Sequence, residues 1–478
     1  MPSIPVAIAF PIWHALVVST SQRSDAPPSD DVRVLSVDDN GGWCWYQDER
    51  AAADAAQGIV LLGSVASSGG AEGARRGGDV NVSVVDLGAG TARTVTLHAG
   101  LESDDHDVPA LWKRSDGRWV AVYTKHGADT LTRWRISEPE DPTVWGPERV
   151  FDWSTDLTHP ADAEVAAANR TGATYQNIHE LDGVLHCFVR SINLDPCVLV
   201  SHDDGESWEF GGRLLTRDTI AQSYVRYASG NRFGQDDRID LIVTERHPRV
   251  HPTSIWHGYL SGGQLHRTDG TVVGPLGRRL AEATPAVEDL TQVLAHGAVD
   301  EGAVLTHCWT IDLRRGEDGT VVGIFSARVD DPHGLDYRER GEDLTAHRFL
   351  RGVLAPGAAE WVVRPLAEAG PELYYAEQDY TGLVSIDPDD LSALYLSTPI
   401  DPRDGSALAR HGVFHGRTRD DGLTWDWRPL AVEAEAMNLR PIAVPGDPQR
   451  SIVAWLRGEF RTYTDYDTEI VLRVAPRA

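Results

Sequence analysis

Sulfur-containing residues are scarce in this chain, which has 4 cysteines and 2 methionines among 478 residues. The cysteines are too few and too scattered for a disulfide scaffold, and no CxxC pair indicates a standard zinc motif. Cys187 and Cys197 are close enough in sequence to be bridged across adjacent strands, although buried free thiols are the favoured interpretation. The remaining two are Cys44 and Cys308.

Positively charged residues are also few. The 44 lysines and arginines face 72 aspartates and glutamates, so the formal net charge is −28. This balance argues against nucleic acid and against anionic membrane surfaces as partners. An anionic ligand would therefore require arginine and histidine to be gathered locally in a cleft.

Long apolar runs are absent except near the start of the chain. The run from Ile4 to Val18 is too short for a membrane span, and it lacks the basic residues that open a signal peptide. Residues 21–31 are rich in Ser, Pro and Asp and are typical of a linker. We therefore interpret residues 1–31 as an N-terminal apolar extension and linker, and residues 32–478 as a single domain.

Helical periodicity is almost absent, and short strands separated by Asp-Gly, Gly-Gly and Pro take its place. One apolar strand type recurs at intervals of roughly 60 residues, each copy preceded by a companion strand and a turn such as SDG, LDG or EDG. The seven apolar strands begin at Gly58, Arg118, Val184, Arg238, Val321, Leu391 and Ser451. Seven similar hairpins predict an all-β fold, a seven-bladed β-propeller, whereas a two-sheet sandwich would not supply seven such units. We also expect a strand at residues 32–37 to complete the last blade beside residues 469–474.

A short motif occurs twice, as SHDDGESW at residues 201–208 and as TRDDGLTW at residues 418–425. Aspartate side chains that bind nearby backbone N–H groups, a glycine with positive φ and a packed tryptophan fit a hairpin turn. The pattern is typical of the Asp box of sialidase-like propellers. A structural role is therefore predicted for Asp203, Asp204, Asp420 and Asp421.

The hairpin arrangement also predicts where polar side chains meet. The start of the first strand of a hairpin lies beside the end of the second strand. This strand arrangement pairs residues in three consecutive blades. Because all blades share one orientation, these pairs and two further side chains should collect at one mouth of the central channel. The pairs are His106 with His126, Tyr175 with Arg190, and Tyr224 with His247, and the two further side chains are Tyr380 and Arg440.

Histidine, tyrosine and arginine together suit proton abstraction next to a carboxylate. The C5 hydrogen of a uronic acid is poorly acidic, because its anion would add charge beside an existing carboxylate. An arginine or a protonated histidine can neutralise that carboxylate, while histidine and tyrosine move protons to and from the sugar. The sequence therefore predicts cleavage of a uronate glycosidic bond by β-elimination.

Several long strings resemble the BNR-4 repeat family, from about Gly41 to the C-terminus. They include GGWCWYQDERA, DDHDVPALWKRSDGRWVAVYTKHG, SYVRYAS and YYAEQDYTGLVSIDP. That family contains ulvan lyases and related rhamnose–glucuronate lyases, which are seven-bladed propellers. By this resemblance the catalytic residues are His106, His126, Tyr175 and Arg190: Arg190 neutralises the uronate and the other three share the acid and base roles. Tyr224, His247, Tyr380 and Arg440 are the expected substrate-binding residues.

Two other functions stay open at this point. Relatives of the propeller include a glycoside hydrolase that acts on rhamnose linked to glucuronate, and a non-catalytic glycan-binding propeller would have the same repeats. The expected partner is an acidic, uronate-containing glycan bound by a monomer. The family favours an extracellular location, while the poor export signal leaves a cytoplasmic location open. No cofactor is required, but some of these lyases carry a metal, and His247, His257 and Cys308 are candidate ligands for a structural zinc or calcium ion.

Overall fold

The computed structural model describes residues 32–48, 50–216, 222–231, 234–329, 346–374, 377 and 379–477. The predicted extension at residues 1–31 lies outside the described residues. Strands take 54% of the chain and helices 6%. The strands form seven sheets, and this confirms the all-β, seven-bladed propeller. No helix in the described part of the chain is long and apolar enough to cross a membrane.

The first strand of the chain, β1 (Arg33–Asp38), belongs to the last blade. Blade 1 contains β2 (Ala51–Asp54), β3 (Ile59–Val65), β4 (Val80–Asp86) and β5 (Thr91–His98). Blade 2 contains β6 (Ala110–Lys113), β7 (Trp119–Thr124), β8 (Leu131–Glu138), β9 (Asp141–Trp145) and β10 (Arg149–Asp152). Blade 3 contains β11 (Thr174–Leu181), β12 (Val184–Arg190), β13 (Pro196–Ser201) and β14 (Glu209–Arg213).

Blades 4 to 7 complete the ring. Blade 4 contains β15 (Val225–Gly230), β16 (Gln235–Val243), β17 (Ile255–Ser261), β18 (Gln264–Arg267), β19 (Val272–Pro275) and β20 (Thr291–Leu294). Blade 5 contains β21 (Val299–Asp300), β22 (Ala303–Arg315), β23 (Val321–Val329), β24 (Ala346–Leu354) and β25 (Val362–Pro371). Blade 6 contains β26 (Val384–Ile386), β27 (Ala393–Ile400), β28 (Ala407–Arg417) and β29 (Asp426–Ala431). Blade 7 contains β30 (Met437–Ala443), β31 (Arg450–Thr462) and β32 (Asp465–Pro476), to which β1 is added.

The helices of the described residues are short and lie in the connections. They are α1 (Gly73–Arg76) and α2 (Pro160–Ala168), with 3₁₀ turns at Asp105–Asp107, Ile192–Leu194 and Val287–Asp289. Helix α2 begins where Pro160 follows His159, whose ring nitrogen accepts a hydrogen bond from the N–H of Ala161. The 3₁₀ turn at Asp105–Asp107 carries His106, one of the residues predicted to be catalytic.

The hairpin turns explain why these sequences form strands in pairs. In blade 3, Leu181 pairs with Val184, which leaves a two-residue loop of Asp182 and Gly183. Both loop residues have positive φ, 52° and 74°. This is the backbone of a type I′ turn, whose twist matches that of the flanking strands, and Asp-Gly is its preferred sequence.

The ring is closed by strands from both ends of the described chain. Strand β1 runs antiparallel to β32, with Arg33 opposite Val474 and Leu35 opposite Leu472. The expected pairing of residues 32–37 with residues 469–474 is therefore confirmed. It covers the edge of β32, which would otherwise offer unpaired backbone groups to other chains.

The two Asp boxes are the turns between the third and fourth strands of blades 3 and 6. Asp203 accepts hydrogen bonds from the backbone N–H and the hydroxyl of Ser207, at 2.8 and 2.6 Å. Asp420 accepts the same two bonds from Thr424, at the same distances. Gly205 has φ of 85° and Gly422 has φ of 86°. The predicted turn geometry is thus present in both copies.

The second aspartate of each Asp box contacts the preceding blade. Asp204 accepts bonds from the backbone N–H and the hydroxyl of Ser115 in blade 2, both at 2.7 Å. Asp421 pairs with Arg351 of blade 5 at 3.3 Å. Each Asp box therefore fixes the position of one blade against the one before it.

Residues 43–48, the plug segment, fill the central channel between β1 and β2. Its side chains are buried or nearly so. Trp43, Trp45, Tyr46 and Gln47 bind backbone carbonyls next to blades 2, 6 and 7, and Asp48 binds blades 3 and 4. The indole N–H of Trp43 donates to the carbonyl of Arg440, and the hydroxyl of Tyr46 donates to the carbonyl of Asp379. The side chain of Gln47 donates to the carbonyl of His106 at 3.0 Å. The plug segment thus forms the floor beneath the predicted site.

Candidate functional site

Two histidines lie in contact at the mouth of the channel, as the hairpin argument predicted. His106 precedes β6 in its 3₁₀ turn, and His126 follows β7. Their rings stack with centroids 3.6 Å apart and planes 9° from parallel. The antiparallel pairing of β6 with β7, which sets Ala110 opposite Val122, brings these two ends together.

One carboxylate holds both rings. Asp104 Oδ1 lies 2.6 Å from Nδ1 of His106, and Asp104 Oδ2 lies 2.9 Å from Nδ1 of His126. Asp104 also caps the 3₁₀ turn by accepting a bond from the backbone N–H of His106 at 3.0 Å. Burial raises the pKa of Asp104, but its bonds and charge interactions with the two histidines outweigh this and hold the pKa well below its usual range.

The two imidazoles differ in protonation. Burial and the charge of His106 lower the pKa of His126 to about 4. Burial also opposes charge on His106, but its neighbours Cys44, Tyr175 and Asp104 raise the pKa of His106 well above its usual value. The directions of these two pKa shifts favour a pair that carries a single positive charge, on His106, with His126 neutral.

Two more carboxyl groups lie within the same segment. Asp105 and Asp107 are fully buried, and their side-chain oxygens accept no hydrogen bond from a described residue. Burial raises the pKa of Asp105 to about 6 and raises the pKa of Asp107 well above its usual value. Asp105 lies 3.0 Å from Nδ1 of His106, so it adds to the negative surroundings of that ring.

Tyr175 and Arg190 are adjacent on blade 3. Arg190 ends β12 opposite Thr174, and its guanidinium carbon lies 4.4 Å from the centre of the Tyr175 ring. The register of β11 shifts between Thr174 and Asn177, and Tyr175 within this bulge has φ of 59°. Positive φ at an aromatic residue is uncommon and strained, and such strain is often found at functional sites.

Arg190 is a buried cation without a carboxylate partner. It is 8% exposed, it forms no ion pair with any described residue, and two of its guanidinium nitrogens are buried without a hydrogen bond. It contacts the faces of Tyr175 and Tyr224, the latter at 5.1 Å, and it also lies within hydrogen-bonding reach of Tyr224. An unpaired buried guanidinium is costly, and a bound anion would compensate for that cost.

Tyr175 also faces the histidines. Its ring lies 5.4 Å from His106 and 6.3 Å from His126, both edge to face. Burial and the neighbouring Tyr224 raise the pKa of Tyr175 well above its usual value. The Tyr175 hydroxyl is therefore protonated at neutral pH and suits a proton donor.

Tyr224 and His247 meet in blade 4, as predicted. The hydroxyl of Tyr224 lies 3.2 Å from Nε2 of His247, and Nδ1 of His247 accepts a bond from the backbone N–H of Arg249 at 3.2 Å. Burial, with the charges of Arg249 and Arg190, lowers the pKa of His247 well below its usual value. His247 is therefore neutral and donates from Nε2 to Tyr224, which leaves the Tyr224 O–H to donate elsewhere.

Tyr380 and Arg440 lie in the layer of the plug segment. Tyr380 is 3% exposed and stacks on Trp45 with centroids 5.2 Å apart. Arg440 is 1% exposed and donates to the carbonyls of Cys44 and Gln47, at 2.7 and 3.2 Å. Both side chains support the floor of the site. The sequence had instead predicted that they contact the substrate directly.

The expected metal ligands do not come together. His257 Nδ1 is 2.8 Å from Thr268 Oγ1 and its Nε2 is 3.2 Å from Asp240 Oδ1. Both nitrogens of His247 are also engaged, and no described group with metal-ligand distances contains His247, His257 or Cys308. The proposed set is wrong because His257 lies within β17 and bonds inside its own sheet, away from the channel mouth.

Two other groups have atoms close enough together to hold a metal ion. They are Cys44 with Asp105 and His106, and Asp104 with His106 and His126. In both groups Nδ1 of each histidine is already bonded to Asp104. We read both as hydrogen-bonded clusters.

Two residues at the site were not assigned by the sequence. Asp104 is the first aspartate of the DDHD motif, so its position beside His106 was visible but its bond to His126 was not. Tyr463, in the turn between β31 and β32, faces both imidazoles edge-on at 5.2 and 5.6 Å. It comes from blade 7, and no local signal in the sequence connects it with blade 2.

Comparisons with known proteins agree with the fold. No protein-family model and no curated protein sequence matches the chain. Two solved structures of an ulvan lyase, a polysaccharide lyase of the PL25 family, are similar to it, each with TM-score 0.60 and 13% identity over 93% of this chain and 98% of the other. One of them is bound to -[GlcA(1-4)Rha3S]-. An α-L-arabinofuranosidase of Fusarium graminearum from family GH93 covers 76% of this chain at TM-score 0.37 and 12% identity, and 91% of its own length. The likeness to the lyase shows the propeller fold, and the BNR-4 resemblance stays a prediction.

Proposed function

We propose that this protein is a lyase that cleaves a uronate-containing glycan by β-elimination at the mouth of its channel. The observation that carries the proposal is Arg190, a buried guanidinium that no described carboxylate neutralises. Beside it lie a neutral imidazole, His126, and a protonated phenol, Tyr175. A cation that neutralises the substrate carboxylate, a proton acceptor and a proton donor are what elimination at a uronic acid requires.

Each of these residues has a separate role in the proposed reaction. Arg190 pairs with the uronate carboxylate and, with the His106 cation, stabilises the charge that grows there when C5 loses its proton. His126 accepts that proton, and the electrons of the C5–H bond form the C4–C5 double bond. The C4–O bond breaks, and Tyr175 donates a proton to the departing oxygen. No water is consumed, and proton exchange with solvent restores both side chains.

The structural comparison supports this proposal without identifying the substrate. The lyase with the similar fold is bound to a glycan that contains glucuronate. We propose an acidic glycan as the partner, a monomer as the active form and a reaction that needs no added cofactor. We propose two alternative cellular locations for the protein, outside the cell or in the cytoplasm.

The test is a screen of uronate-containing glycans, monitored for the ultraviolet absorbance of the unsaturated uronate product. The proposal expects that absorbance to rise with one substrate and to fall away in the Arg190→Ala variant. New reducing ends without the absorbance would instead show a hydrolase. Binding measured by calorimetry without any product would show a glycan-binding propeller.

A further inference from the structure

We propose that Asp104 is the positioning residue of this site. Asp104 accepts hydrogen bonds from Nδ1 of both imidazoles. It thereby presents the Nε2 lone pair of His126 to the substrate and keeps the extra proton of the histidine pair on His106. The inference rests on the proposed function, because it explains how that reaction obtains its proton acceptor. It assigns to Asp104 an effect on catalysis exerted through His126.

The hydrogen bonds to Asp104 determine both tautomers. An ionised carboxylate only accepts, so Nδ1 of His106 and Nδ1 of His126 must each carry a hydrogen. In the neutral ring of His126, Nε2 is then the basic atom. In the charged ring of His106, Nε2 carries a hydrogen as well. The network thus fixes which nitrogen of each ring remains for the substrate.

The stacking of the rings limits the pair to one positive charge. Two imidazolium ions with centroids 3.6 Å apart in a buried site would repel each other strongly. The His106 side chain is 2% exposed, whereas the His126 side chain is 25% exposed. The ring that a substrate can reach is therefore the neutral one, and the buried ring holds the charge between Asp104 and Asp105.

Asp104 itself has little freedom to move. Its side chain is 5% exposed, and Oδ1 is also fixed by the backbone N–H of His106. Asp105 contacts Nδ1 of His106 alone, at 3.0 Å. Asp105 therefore provides a matched control for Asp104, because both are buried carboxylates adjacent in the chain and only Asp104 binds both imidazoles.

Asp104→Asn should separate positioning from binding. The amide has one acceptor oxygen and one NH₂ donor group, so one of the two Nδ1 atoms must become an acceptor. If that atom belongs to His126, its hydrogen moves to Nε2; if it belongs to His106, which already has a hydrogen on Nε2, the ring loses its proton to solvent and becomes neutral. The same exchange behind a catalytic histidine of a serine protease lowers kcat by about 10⁴-fold. We expect Asp104→Asn to lower kcat by about 10²- to 10⁴-fold with KM within about threefold, because Arg190 still holds the carboxylate.

Nitrogen NMR of the imidazoles provides a readout that does not depend on activity. In the wild-type protein at neutral pH we expect His126 to be the neutral tautomer with hydrogen on Nδ1, and His106 to be the cation. Asp104→Asn should alter the tautomer of at least one ring. Asp105→Asn should leave the His126 tautomer as it is.

The outcomes are distinguishable. Absence of elimination on every uronate glycan would overturn the proposed function, whereas the wild-type spectra would still test the arrangement of the two rings. A His126 ring with hydrogen on Nε2 in the wild-type protein would overturn the inference directly, even if Asp104→Asn fails to fold. An active enzyme whose Asp104→Asn variant keeps wild-type kcat would overturn it as well.

Discussion

The guanidinium of Arg190 lies against two phenol rings and forms no ion pair with any residue that the structure describes. Replacing it by alanine should lower kcat/KM about a hundredfold or more, which corresponds to about 3 kcal/mol of lost electrostatic stabilisation. Steady-state kinetics on the substrate found in the screen measure this loss. Arg457→Ala is the control, since Arg457 is 39% exposed and already paired with Glu433 and Glu469.

The hydroxyl of Tyr175 can be removed without changing the ring that packs on Arg190. Tyr175→Phe should lower kcat by about 10²- to 10⁴-fold, since it removes the proposed proton donor. Thermal unfolding should change little, which separates proton transfer from packing. If Tyr175→Phe, His106→Ala and His126→Ala all retain near-full activity, the chemistry lies elsewhere, and Tyr224 with His247 is the next pair to test.

The acid limb of the pH profile should reflect the environment of His126. A proton acceptor works only when neutral, and the pKa of His126 is lowered to about 4. Then kcat/KM should rise with pH through about 4, and it should fall again at a pH above the ordinary histidine range as His106 loses its proton. An acid limb near the ordinary pKa of histidine, about 6.5, would contradict the assignment of His126 as the proton acceptor.

Single residues were predictable where strand pairing alone decides their position. His106 with His126, Tyr175 with Arg190 and Tyr224 with His247 each sit at the two ends of one hairpin, so topology fixes their contact. Asp104 could not be assigned, because the direction of its side chain depends on a 3₁₀ turn. Tyr463 could not be assigned either, because its contact with blade 2 depends on closure of the ring.

Among elements, the Asp boxes join neighbouring blades. Asp203→Ala removes the bonds to Ser207 and should lower the free energy of unfolding by about 1 kcal/mol, while kcat of the folded protein is unchanged. Denaturant titration measures the loss. Asp203→Asn keeps an acceptor oxygen and should lose less, and Asp420→Ala should destabilise in the same direction through Thr424. A drop in kcat for Asp203→Ala would show that the turn affects the site.

At the scale of elements, an irregularity within strand β30 explains why the position predicted for Arg440 differs from the structure. Arg440 was expected at the channel mouth from its place in a hairpin, but the register of β30 shifts between Leu439 and Ile442. Arg440 in this bulge has φ of 51°, and its side chain is directed to the carbonyls of the plug segment. Bulges redirect side chains in this way, and the amino-acid pattern of β30 does not reveal one.

At the scale of the whole molecule, the pairing of β1 with β32 holds the ring closed. Leu35 is half-buried against the core, whereas its neighbour Val34 is 60% exposed. Leu35→Asp should therefore lower the free energy of unfolding by about 2 kcal/mol more than Val34→Asp does. Thermal or denaturant unfolding of the two variants compares them directly, and equal losses would mean that closure does not depend on the buried face of β1.

The plug segment also constrains how the protein is made. The partners of its aromatic residues lie in blade 7 and before blade 6. During synthesis Trp43, Trp45 and Tyr46 therefore leave the ribosome more than 300 residues before the carbonyls of Arg440, Thr381 and Asp379 exist. Until then these aromatic rings lack their final environment. The floor of the site is completed only when the last two blades fold around it. A truncated chain that lacks blade 7 would thus have an incomplete floor beneath the candidate site, however well its early blades had folded.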